Sequence, residues 1–164
     1  MPNPDSPDHE PLRIVRARGA DVDELVRVAV SSKGVWGYDA SWLARFRETF
    51  GLTPSQVEAG SFYCIRREGG IGGWYSVRMR DGIAMLDDLW IAPPSVGRGW
   101  GRLLFEHACA RALALGAQRL VWEADPNAVP FYRHMGGTVT GEVDGGMGRM
   151  IPTMALDLTE ELDV

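Results

Sequence analysis

The sequence predicts an α/β fold: a mixed, mainly antiparallel central sheet of about seven strands, flanked on both faces by about four helices. Three observations carry that prediction. Apolar runs at residues 62–66, 74–80 and 83–91, separated by Glu68-Gly69-Gly70 and Arg80-Asp81-Gly82, read as a meander of antiparallel strands with short turns. Other stretches repeat their apolar residues at helical spacing. After Leu86 the chain reads strand, glycine-rich loop, helix, strand, a crossover unit that makes the sheet mixed.

Taken in order, residues 12–17 alternate enough for a first strand, and Asp21 offers an N-cap for the amphipathic stretch Val22, Leu25, Val26, Ala29, Val30. A second helix is expected over 40–50, where Trp42, Phe46 and Phe50 recur at i, i+4 and Gly51 follows. The three-stranded meander comes next. Beyond the glycine-rich loop, a helix runs to about Leu115 on a stripe of Leu104, Ala108, Ala112 and Leu115, with Gly116 as its stop. Residues 120–123 form a short strand, and Asp125-Pro126-Asn127 leads into a helix of about two turns that ends before Gly136-Gly137. Pro130 falls in its first turn, where no intrahelical N–H is lost. Two last strands near 138–143 and 150–158 are joined by the glycine-rich connection 144–149.

The 164 residues, 45% of them hydrophobic, suit one compact domain, read here as residues 12–164. Residues 1–11 carry four prolines and no apolar run, so they read as a disordered lead-in without a secretory signal. No stretch free of Asp, Glu, Lys and Arg exceeds nine residues, far short of the roughly 20 a membrane-spanning helix needs, so no membrane partner is expected. A net charge of −5 opposes nucleic-acid binding, which depends on neutralising phosphates with Lys and Arg. A cytoplasmic protein is expected. Cys64 and Cys109 show no CxxC spacing and no histidine placed for metal, so both are expected in the core and no metal site is expected. Lys33 is the one lysine of the chain, and the sequence alone attaches no role to it.

The segment Val96-Gly97-Arg98-Gly99-Trp100-Gly101-Arg102 joins a strand to a helix through three alternating glycines. Glycine lets backbone approach phosphate oxygens, the helix start adds unpaired N–H groups with about +0.5 charge, and Arg98 and Arg102 add more. Turns use glycine for other reasons too, so rival motifs matter. The dinucleotide fingerprint G-x-G-x-x-G fails in both registers, at Arg102 and Leu104, and a Walker A loop needs a lysine this loop lacks.

With those excluded, the loop resembles the Q/R-x-x-G-x-G/A coenzyme loop of the GNAT superfamily of N-acetyltransferases, with Val96 where that family has Gln or Arg. Downstream, Asn127 and Phe131-Tyr132 in the run 125–136 are similar to the family's N-x-x-x-x-x-F-Y-x-x-x-G region. The resemblance implies acetyl-CoA as co-substrate, with its pyrophosphate on residues 96–102 and its pantetheine arm along Leu89, Trp90 and Ile91 in a gap between the fourth and fifth strands. It also places Asn127 and Tyr132 at the coenzyme. The backbone N–H near Ile91 would stabilise the oxyanion. Tyr132, a phenol of ordinary pKa about 10, would protonate the departing thiolate.

An amine acceptor arrives largely protonated and needs a base. Asp87 is the best-placed candidate, although strand alternation sends Asp87 and Asp88 to opposite faces and only one can meet the acceptor. Glu123, at the end of the next strand, could replace Asp87 or hold a cationic acceptor. Trp36 and Tyr38, with Trp42, cluster where the family's first two helices shape the acceptor site, and aromatic faces attract ammonium groups. His107 and His134 pair with no spaced nucleophile and are given no catalytic role. The leading expectation is acetyl transfer to a primary amine on a small molecule, by direct attack in a ternary complex. Protein or peptide N-acetylation is the nearest rival, and a non-catalytic acyl-CoA-binding module is a reading of another class. Dimers are common in the superfamily, so a homodimer is compatible with it.

Overall fold

The computed structural model describes residues 12–158. The lead-in expected at 1–11 lies outside them. In chain order the elements are β1 (Ile14–Arg16), α1 (Val22–Gly34), α2 (Ala40–Glu48), α3 (Pro54–Ala59), β2 (Ser61–Arg67), β3 (Gly70–Arg80), β4 (Ile83–Ile91), α4 (Trp100–Ala114), β5 (Arg119–Glu123), α5 (Val129–His134), β6 (Thr138–Asp144) and β7 (Met150–Asp157). The strands form one sheet in the order β1-β2-β3-β4-β5-β7-β6, and only β4 and β5 pair in parallel.

Period-two alternation divides the core between the two faces of this sheet. Ile65 and Tyr75 join Leu104, Phe105, Leu120 and Trp122 under α4. Their neighbours Cys64 and Trp74 join Leu25, Val28 and Val57 on the opposite face, under α1 and α3. Both cysteines are buried, and desolvation pushes the Cys64 thiol up to about 11. No described helix is long and apolar enough to cross a membrane.

Three local expectations are corrected. Where about four helices are expected there are five: α3 lies between α2 and β2, a stretch to which the sequence reading assigns no element. It starts on a reciprocal cap in which Thr53 Oγ1 accepts from the Gln56 N–H and Gln56 Oε1 accepts from the Thr53 N–H. Second, Asp21 makes no side-chain cap on α1; its carboxylate accepts from the Arg18 N–H at 2.8 Å and from Arg66 at 2.6 Å. Third, β3 begins at Gly70, four residues before its predicted start. The glycines there are a packing device: a Cβ on Gly72 would run into the Trp100 ring, and one on Gly73 would lie 3.0 Å from Leu104, so α4 settles close against the strand.

The feature that makes a site is the fork between β4 and β5. Their ladder holds only the pairs Ala84↔Leu120 and Met85↔Val121. Beyond it β4 continues to Ile91 with partners on β3 alone, so its other backbone edge is left without a strand from Leu86 onward.

Candidate active site

A cavity of about 820 Å³ fills the fork. At one end it meets the glycine loop. Gly97 (φ +87°) and Gly99 (φ +79°) adopt left-handed conformations that side chains resist, and apart from their chain neighbours nothing lies within 4 Å of where their Cβ atoms would be. Gly99 is also the N-cap of α4 and supplies no side-chain bond, so the first amides of that helix face the loop uncapped. This arrangement fits a pyrophosphate. Around it Val96 is 58% exposed, Arg98 rests over the Trp100 ring at 5.8 Å, and Arg102 is paired with Glu106 at 2.9 Å. Trp100 is buried, so what it offers a ligand is its amide. Gly101 faces Phe131 of α5, 3.4 Å from where its Cβ would be. Leu89, Trp90 and Ile91 line the cavity along the unpaired edge of β4.

At the centre, Tyr132 is buried among Phe105, Trp122 and Phe131 and faces the cavity. Burial raises its hydroxyl pKa, and the carboxylates of Asp88 and Asp125 raise it further. The two strand carboxylates differ sharply. Ser76 pairs with Asp88 and Val77 with Leu86, which leaves Asp87 as the extra residue of a β-bulge. The bulge breaks the expected alternation: Asp87 and Asp88 are both among the residues lining the cavity and a second cleft of about 740 Å³ beside α2 and α3. Asp87 is exposed and bound to Arg78 Nε at 2.6 Å. Asp88 accepts from Ser76 Oγ at 2.6 Å and Trp90 Nε1 at 3.1 Å, and desolvation nevertheless drives its pKa upward. Glu123 lies at the exposed end of β5 and lines the cavity as well.

The far end is built around Asp125. Its Oδ2 accepts from Lys33 Nζ at 2.5 Å, Tyr38 Oη at 2.8 Å and Arg149 Nη2 at 3.3 Å, while Oδ1 accepts from the backbone and side-chain nitrogens of Asn127. Burial works against the carboxylate, but these donors, Lys33 first, hold its pKa far below the ordinary range. Desolvation lowers the pKa of Lys33 and raises that of Tyr38. Arg149 Nη1 also donates to Tyr38 Oη at 2.5 Å. Asn127 thus spends its amide nitrogen on an Asx turn.

Tyr38 and Trp42 stack at 4.0 Å, but their faces are already taken. Lys33 Nζ lies 5.7 Å from each ring, and Arg149 Cζ lies 4.9 and 5.4 Å from them. An incoming ammonium therefore finds this aromatic wall occupied by the chain's own cations. Trp36, 48% exposed at the cavity mouth, is the aromatic left open.

The model of the acetyltransferase (GNAT) family matches residues 23–136. The chain belongs to the GNAT family. Among curated proteins it is similar to the peptidyl-lysine N-acetyltransferase YjaB of Salmonella typhimurium, 42% identical over 73 residues, which span 43% of this chain and 48% of that relative. The match therefore covers about half the relative's length. Among solved structures, the PaiA N-acetyltransferase of Thermoplasma acidophilum, determined with coenzyme A, superposes with a TM-score of 0.75 at 16% identity over 90% of this chain and 99% of that one. A GCN5-related N-acetyltransferase of Rhodopseudomonas palustris gives 0.76 at 18% identity, with 90% and 96% covered. The apo form of YjaB from Escherichia coli gives 0.66 at 24%, with 92% and 99% covered. These superpositions establish the GNAT fold.

Sequence reasoning passed over several residues that this GNAT structure brings to the cavity. Lys33, Asp125 and Arg149 come from the end of α1, the turn after β5 and the β6–β7 connection. No spacing rule links them. The one available signal was that Lys33 is the sole lysine and stands near Trp36 and Tyr38. In the sequence Asp88 is simply the alternating neighbour of Asp87, and the bulge that separates their environments has no sequence signature here.

Proposed function

We propose that this GNAT chain transfers an acetyl group from acetyl-CoA to a primary amine by direct attack in a ternary complex. The observation that carries this reading is the β4–β5 fork, with an uncapped helix start at one end and Tyr132 and Asp88 inside it. The amides of residues 97–102 hold the pyrophosphate, and the free edge of β4 from Leu89 to Ile91 bonds the pantetheine arm as a neighbouring strand would. An N–H of that edge near Ile91 meets the negative charge that develops on the thioester oxygen. Asp88 takes a proton from the bound ammonium, and the neutral amine then attacks the thioester carbon. Burial and the raised pKa suit Asp88 to this better than Asp87, whose charge is committed to Arg78. Tyr132, kept protonated by burial, gives its proton to the departing sulfur.

A compact small-molecule amine is the favoured acceptor. Arg149 and Tyr38 join the β6–β7 connection to the α1–α2 segment across the acceptor end, and an extended peptide would have to break that bridge. A second reading, transfer to a lysine side chain of a protein, is favoured by the name of the Salmonella relative. Both are tested by incubating the protein with acetyl-CoA and a panel of amines, polyamines, aminoglycosides and peptides, with mass detection of products and Tyr132→Phe alongside. Product on small amines that vanishes in the variant supports the first reading; product on peptides alone supports the second. Coenzyme binding without any product would favour a non-catalytic acyl-CoA-binding module.

A further inference from the structure

The mechanism above leaves a primary amine of the cavity unused. Lys33 is the only lysine of the chain, is 6% exposed, and lines the same cavity as Trp90, Asp88 and Tyr132. Its ammonium stands inside four aromatic rings, 5.7 Å from Tyr38 and Trp42, 5.4 Å from Phe46 and 5.5 Å from Trp90. Trp90 belongs to β4, the strand assigned to the pantetheine arm, and its indole N–H bonds Asp88. A primary amine of the chain itself is thus held at the acceptor end of the transfer site, within aromatic faces of the kind that select ammonium groups.

We propose that Lys33 is itself an acetyl acceptor, modified in cis by the chain that carries it; the proposal rests on the acetyl-transfer reading above. The chemistry balances without a further reagent. Lys33 loses one ammonium proton to water, while Asp125, 2.5 Å from Nζ, stays ionised. The freed Nζ lone pair forms the bond to the acetyl carbon of acetyl-CoA, the carbon–sulfur bond breaks, and the sulfur leaves with that electron pair. Tyr132 protonates the sulfur and recovers a proton as the nitrogen becomes a neutral amide. The sum is an Nε-acetyl lysine, free coenzyme A and one proton. Desolvation already favours the neutral amine. The product loses the charge that Asp125 and the four ring faces now meet. Acetylation therefore loosens the bridge that Tyr38 and Arg149 make across the acceptor end.

Because Lys33 is the sole lysine, the test needs no variant to locate the mark. The full chain is incubated with acetyl-CoA and no added acceptor, and intact mass is followed with tandem mass spectrometry of tryptic peptides. Acetyl-CoA binding is measured on the same sample by calorimetry. The expected result is one acetyl group per chain on Lys33, with loss of tryptic cleavage after it. Its rate should be independent of protein concentration, suppressed by excess coenzyme A, and slowed in Tyr132→Phe by the same factor as transfer to an added amine. An unmodified Lys33 in a sample that binds acetyl-CoA overturns the proposal alone. So does a mark confined to the N-terminal amine, a rate that rises with protein concentration, or labelling that excess coenzyme A leaves unchanged. Absence of acetyl-CoA binding overturns the transfer reading, and the proposal with it.

Discussion

At the loop end of the cavity, Gly97, Gly99 and the first amides of α4 offer backbone and open space; at the other end Lys33, Tyr38, Asp125 and Arg149 offer side chains that already bond one another. The two ends solve different problems. A pyrophosphate has a fixed shape and charge, and N–H groups on a helix start meet it without side-chain reorganisation. An acceptor varies, and the side chains that meet it come from separate loops. The loop end therefore tolerates change in its side chains and little in its backbone, while the far end should behave in the opposite way.

The comparison can be broken at five points, taken from the largest effect downward. Gly99→Val puts a branched side chain at φ +79° in the phosphate space, and coenzyme binding should fall below detection by calorimetry. A folded variant with normal affinity would remove the loop from the coenzyme site. At the far end, Asp125→Ala strands the buried Lys33 charge and should cost about 3–5 kcal/mol in urea unfolding. The native Asp125 pKa is depressed, so its stabilisation is complete above the unfolded value of about 3.9 and is lost as pH falls toward the folded value. Asp125→Asn should flatten that acid limb.

Between the two ends, Tyr132→Phe keeps the ring packing and removes one proton donor. Turnover should drop about 10²-fold or more while acetyl-CoA affinity barely moves. Equal losses in both would make Tyr132 a packing residue. For Asp88→Asn, loss of a general base should lower turnover by about 10²-fold and abolish the acid limb of the kcat/KM profile, which the raised pKa places above the ordinary carboxylate range. The sign for stability is the reverse. A carboxyl whose folded pKa is raised stabilises most below its unfolded value and loses that contribution as pH rises through the folded one, so the variant should be at least as stable as the parent at neutral pH. The smallest effect is expected at Val96, the exposed apolar residue where the family carries Gln or Arg. Val96→Gln adds one side-chain bond, about 0.5–1.5 kcal/mol, and should tighten coenzyme binding by a few-fold to about 10-fold.

The same contrast explains what could be read before any coordinates. The strand order through the meander, the crossover after Leu86 and the loop at 96–102 are local patterns, set by alternation, helical spacing and glycine placement, and all are found where expected. The helix over 54–59 was also legible, since Thr53 and Gln56 have capping-box spacing, but Gly51, Pro54 and Gly60 masked it. The turn reads as Glu68-Gly69-Gly70 and the strand only from Trp74, because nothing local announces that α4 will press against Gly72 and Gly73. Of the Asp125 cluster only Tyr38 and the nearby sole lysine, Lys33, are legible in the sequence. The cluster's members stand at 33, 38, 125 and 149, and only the closed fold makes them neighbours.

Two backbone pairs, at Ala84 and Met85, are all that stitch β4 to β5, and thus one half of the sheet to the other. Mechanically this is a seam. A molecule lying along the free edge of β4 would supply the missing rungs and extend the backbone pairing across the fork. Occupancy of the fork should then show as unfolding that is later and more cooperative, with slower amide exchange in β5 and β7 as well as in the strand that is touched.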